Sequence, residues 1–125
     1  MTTEGKRICI IVRHPPYGRE DAFAGIRNAI VGKQHGLDTT LVFCGPGVWN
    51  LVKDQRSQAI AMPSNLANLA DFFVVGGRVL TEEDSLKENG LTLDDLIEGV
   101  EVMPCEELAE LILDHDFVKP LCGGY

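Results

Sequence analysis

KRICIIVRHPPYGREDAFAGIRNAIVGKQ, residues 6–34, carries two apolar rhythms, one on each side of a short loop. Residues 6–12 form a short continuous apolar run with β-branched side chains, the pattern of a strand buried on both faces. From residue 20 the spacing changes. Ala22, Ile26, Ala29, Ile30 and Lys33 then fall on one side of a helix. Gly36 supplies the stop. A strand leading directly into a helix is half of a βαβ unit, and the same alternation continues down the chain.

DTTLVFC (38–44) reads as the second strand, GPG (45–47) as a turn, and Val48, Leu51 and Val52 as a short helix ending in polar KDQRSQ. A further helix is expected from Ser64, a plausible N-cap, to Ala70. The third strand is expected at residues 78–81, with 72–75 competing for that role. TEED (81–84) fits a capping box and opens a helix that stops at Asn89–Gly90. TLDD (92–95) repeats the device, and Gly99 closes it. VEVM (100–103) is a fourth strand, and CEELAELILDH (105–115) a helix with Leu108, Leu111 and Ile112 inward. FVKPL (117–121) is the last strand; Pro120 cannot donate to a ladder, so this strand belongs at an edge. The expected fold is α/β: one domain with a mostly parallel sheet of about five strands, helices on both faces, and tails at 1–5 and 122–125.

Size and charge narrow the function. A chain of 125 residues suits one domain with one real core. Its formal net charge of −8, with no clustered Lys/Arg stripe, argues against nucleic acid and anionic membranes as partners. The apolar runs fall far short of a membrane span, and MTTEGKR is no signal peptide, so the cytoplasm is expected. Cysteines stand at 9, 44, 105 and 122, none paired as CxxC. They are expected to be free thiols, and nothing in their spacing calls for a metal or a cofactor.

In parallel α/β sheets, ligands bind outside the carboxyl ends of the strands. His14, Tyr17, Gly18 and Arg19 after the first strand, Gly45 and Gly47 after the second, and Thr81 and Glu82 after the third are therefore expected on one rim. Arg19 and the first-turn amides offer an anion a seat. Cys44 ends the second strand, where His14 is a candidate base for its thiol. Cys105 falls in the first turn of a helix, whose dipole favours a thiolate that Glu106 and Glu107 oppose. Cys122 sits in the glycine-rich tail CGGY, and Cys9 inside a strand is core. His35 and His115 are expected on the surface near helix C-termini.

The order of segments resembles the DsrE/DsrF-like family, which includes sulfur-relay subunits of the DsrE–DsrF–DsrH and TusB–TusC–TusD type. A first strand leads to PYG and a helix, a second to GVWNL, and then come RVLTEEDSLKENGL, DDLIEGVEVM, CEELAELI and HDFVKPL. The likeness spans residues 6–121. It implies a parallel α/β sheet, association as trimers or hexamers with identical or related subunits, and persulfide carriage in active members. Their sulfur-bearing cysteine ends the third strand. Counting back from Gly90, that position is Glu82, so the likeness implies an atypical or non-catalytic subunit; a small-ligand or anion-binding oligomeric module is the alternative.

Overall fold

A computed structural model describes residues 5–16, 21–53 and 65–121. Tyr17, Gly18, Arg19, Ser64 and Cys122 lie outside the described residues, as does most of KDQRSQ. The strands are β1 (Arg7–Val12), β2 (Asp38–Phe43), β3 (Arg78–Glu82), β4 (Glu101–Met103) and β5 (Phe117–Leu121). The α-helices are α1 (Asp21–Gln34), α2 (Asn65–Val74), α3 (Glu83–Glu88) and α4 (Cys105–Leu113), with 3-10 helices at Gly45–Leu51 and Leu93–Asp95.

The five strands form one sheet in the order β4-β3-β2-β1-β5, and every pairing is parallel. β5 occupies an edge, where Pro120 costs no ladder bond. Three successive connections step the sheet from β1 to β4 in one direction; the last returns across it to the far side of β1. Crossovers of one hand put opposite steps on opposite faces. Accordingly, Ile26 of α1, Leu69 and Phe72 of α2 and Leu86 of α3 join one buried cluster with Ile10, Val12, Leu41, Phe43 and Val79. Leu108 of α4 closes the other face over Cys9, Val42 and Leu80. The period-two alternation within β1 assigns Ile10 and Val12 to the first face and Cys9 and Ile11 to the second.

The segment around Phe72 is helix, not strand. Asn65, Leu69 and Phe72 are buried at helical spacing, while Val74 is 85% exposed. The helix ends where Gly76 takes a positive φ of 88°, with Gly76 N–H donating to Phe73 O and Gly77 N–H to Phe72 O. This is a Schellman closure. The same pair of bonds closes α1 at Gly36 and α3 at Gly90.

Three further expectations change. Thr81 does not cap α3: it lies inside β3, and its hydroxyl donates to the Phe43 carbonyl at 2.6 Å. Glu82 takes the cap position. The TLDD device does form, with the Asp95 carboxylate accepting from the Thr92 N–H at 2.9 Å and its hydroxyl at 3.2 Å, but it opens one short 3-10 turn that ends at Leu96. His115 is also buried rather than on the surface. Its Nδ1 donates to the Leu111 carbonyl at 2.8 Å, and its Nε2 meets the Thr40 hydroxyl at 2.9 Å. His35 is exposed at the end of α1, as expected.

Candidate functional site

The carboxyl ends of β1, β2 and β3 are neighbours in register: Val12 lies beside Phe43 and Phe43 beside Thr81. Continuing each strand by one residue brings Arg13, Cys44 and Glu82 to a common row. Parity in β1 carries Arg13 to the side of Cys9 and Ile11, the face that α4 covers. There the guanidinium Nη1 donates to Cys44 Sγ at 3.7 Å. The cation on Cys44 is thus Arg13, the residue that sequence analysis passed over in favour of His14. Strict alternation from Ile11 was the signal that points to it.

β4 ends beside β3, with Met103 opposite Glu82, and Pro104 turns the chain into α4. Cys105, the first residue of α4, lines the same hollow as Glu82, whose carboxylate acts on its thiol. The position at the end of β3 that lacks a cysteine in the sequence therefore has one beside it, from another element. Cys44 and Cys105 open into the same hollow of about 200 Å³, together with Arg13 and Glu82. Its apolar walls come from Ile11, Val42, Leu108, Ala109 and Ile112. A larger hollow of about 460 Å³ lies between α3 and β4, lined by Leu86, Lys87, Leu91, Leu93 and Val102 among others. No thiol lines it, so thiol chemistry belongs to the smaller one.

The other rim residues build the wall behind this hollow. Ser85, 1% exposed, donates to Glu82 Oε1 at 2.6 Å and accepts the Gly45 N–H at 2.9 Å, tying the turn after β2 to the Glu82 carboxylate. Asn89 adds bonds to the carbonyls of Ser85 (2.7 Å) and Gly45 (3.3 Å). Gly47 is buried with its Cα against the Val12 carbonyl. Asn50, fully buried in the 3-10 helix, donates to the carbonyls of His14 and Gly47 and accepts from Asn65, each at 2.9 Å. Of the rim residues expected from sequence, Glu82 lines the small hollow with Cys44 and Cys105. Gly45, Gly47, Thr81 and the His14 backbone hold the turns that shape it.

Electrostatics separates the thiols. Burial pushes the Cys44 thiol above its ordinary range; Arg13 pulls it back by charge and hydrogen bond, while Glu82 pushes it up. Cys105 is raised by its hydrogen bond to Glu82, then by the charges of Glu82, Asp84 and Glu106. Carboxylates outweigh the helix dipole there. Cys9, sealed in the sheet, is pushed up to about 11 by burial and by Cys44 nearby. Among the described residues no group of three or more His, Cys, Asp or Glu side chains is arranged to hold a metal ion, and no helix is long and apolar enough to cross a membrane.

The chain matches the model of the DsrE/DsrF-like family over residues 6–120. It is 30% identical over 118 residues to the intracellular sulfur oxidation protein DsrF of Allochromatium vinosum, covering 91% of this chain and 85% of that one. An uncharacterised protein of Methanocaldococcus jannaschii is 26% identical over 112 residues, covering 90% and 96% of the two chains. Among solved structures, the ychN protein of E. coli superposes with a TM-score of 0.82 at 26% identity, over 92% of this chain and 98% of that one. A protein of unknown function from Methanobacterium thermoautotrophicum shares the fold alone, with a TM-score of 0.70 at 17% identity, over 92% and 99%.

Proposed function

The chain belongs to the DsrE/DsrF-like family, and on that premise we propose that it is an atypical subunit of an intracellular sulfur-relay system. The relative named for intracellular sulfur oxidation supports the pathway. The observation that carries the word atypical is Glu82. Where the family resemblance expects a sulfur-bearing cysteine stands a carboxylate, fixed by Ser85 and sharing a hollow with Cys105. A carboxylate repels a second anion, so a thiolate at that point is disfavoured. The subunit works in the cytoplasm and assembles with identical or related chains. Exposed Val74, Leu113 and Phe117, at 85%, 82% and 59%, support the assembly.

The test compares the native chain with Glu82→Cys. Each is incubated with an organic persulfide, and protein-bound sulfane sulfur is measured by cyanolysis. We expect the native chain to load incompletely and Glu82→Cys to load stoichiometrically. Equal loading of both removes the atypical character; no loading of either chain removes the sulfur-relay role. The alternative, a module binding a small anion, draws support from Arg13, whose guanidinium lines the hollow. It predicts uptake of a simple oxyanion by the native chain that Arg13→Gln abolishes.

A further inference from the structure

Two thiols from different elements open into one hollow, and only one of them has a cation on its sulfur. Cys44 is half-buried and has the Arg13 guanidinium 3.7 Å from its sulfur, with Glu82 acting against it. Cys105 is exposed and feels the charges of Glu82, Asp84 and Glu106. The hollow, at about 200 Å³, lies below the roughly 300–1,000 Å³ of pockets that enclose whole drug-sized ligands. It has room for a few heavy atoms at the tip of a donor rather than for a nucleotide or a flavin. Beside the charged pair its walls are aliphatic, from Ile11, Val42, Leu108 and Ile112.

We infer that this hollow is a sulfane-sulfur acceptor site in which Cys44 takes the terminal sulfur of an incoming persulfide and Arg13 holds the resulting anion. The inference deepens the proposed function and rests on it, naming the accepting atom and the donor class. The exchange is balanced. Cys44 Sγ attacks the outer sulfur of R–S–SH, a new S–S bond forms at Cys44, and the donor's S–S bond breaks. The donor leaves as R–SH, carrying the proton that Cys44 gave up, and the outer sulfur releases its own proton to water to leave the Cys44 persulfide anion. There is no net oxidation, and no metal or cofactor takes part. Charge decides between the thiols. A persulfide anion on Cys44 faces the Arg13 guanidinium against the single carboxylate of Glu82, whereas one on Cys105 faces three carboxylates. Cys105 at the mouth remains a thiol.

The experiment uses the full chain with glutathione persulfide as donor, native-state alkylation, and peptide mapping by mass. The extra sulfur is expected on the peptide carrying Cys44. It disappears in Cys44→Ser, persists in Cys105→Ser, and falls about tenfold in Arg13→Gln, the scale of one charge-assisted contact. Mapping on the native chain needs no variant to fold. Extra sulfur on Cys9, Cys105 or Cys122, with Cys44 bare, overturns the inference and leaves the sulfur-relay proposal standing. An Arg13→Gln variant that loads as well as the native chain removes Arg13 from the site. A native chain with no sulfane sulfur anywhere overturns the inference, and loading of Glu82→Cys then decides whether the sulfur-relay proposal stands.

Discussion

A methyl group built on Gly47 would run into the carbonyl oxygen of Val12 and lie 3.0 Å from the Val12 carbon, both backbone atoms of β1. Neither atom can swing aside as a side chain does. Gly47→Ala must therefore shift the turn that follows Cys44, and we expect it to cost about 1–3 kcal/mol, the usual range for overpacking. Urea unfolding measures this directly; a midpoint unchanged from the native chain would mean that the turn relaxes freely. This position was legible: a glycine after the second strand signals close backbone approach. Arg13 was harder to see. It follows a strand, and loop residues are read for turn chemistry rather than parity, so the histidine beside it drew the attention. Cys105 was harder still. Nothing local tells where the first turn of α4 lands; only the return crossover over the far face brings it to Glu82.

At the scale of elements, the edge strand β4 has only three residues. Arg78 of β3 clamps it, giving Nε to Glu101 Oε2 at 2.6 Å and Nη2 to Oε1 at 2.9 Å. The forked contact holds the Glu101 carboxyl below its ordinary value of 4.5, chiefly through the hydrogen bonds from Arg78. A depressed carboxylate stabilises the fold fully above its unfolded pKa, and the contribution is lost as pH falls through the lower folded value. Both side chains are more than two-fifths exposed, so solvent screening keeps the gain small, no more than about 1 kcal/mol. Glu101→Gln should lower stability by up to that amount at neutral pH and converge with the native chain in acid, once the depressed Glu101 carboxyl is protonated. Thermal unfolding across pH checks this; a gap that widens in acid contradicts it. The alternation of strands and helices, the edge placement of FVKPL and the glycine stops were all readable from sequence. The cap of α3 was not. TEED has the letters of a capping box, yet Thr81 also sits opposite Phe43 in the sheet, whose carbonyl takes its hydroxyl. A tertiary acceptor outcompeted a local one.

Over the whole molecule, the two faces of the sheet are covered unequally. Among the described residues, three helices and a 3-10 segment cover one face, and α4 covers the other. Leu113 at the end of α4 and Phe117 and Val118 at the start of β5 stay 82%, 59% and 42% exposed. The assembly proposed above has its natural contact here. Leu113→Glu touches little within the chain, so its stability should stay within about 0.5 kcal/mol of native. Its mass by light scattering should fall toward that of one chain. An unchanged mass would move the contact elsewhere, and a native chain that is already monomeric would refute assembly.

β1 is flanked on one side by residues 38–43 and on the other by residues 117–121. A nascent chain leaving the ribosome can dress the first side early, but the second stays bare until residues 117–121 have emerged. Until then an apolar strand, RICIIV, displays unsatisfied amide and carbonyl groups to its surroundings. That interval is when this protein is most open to chaperone capture and to mispairing with neighbouring chains.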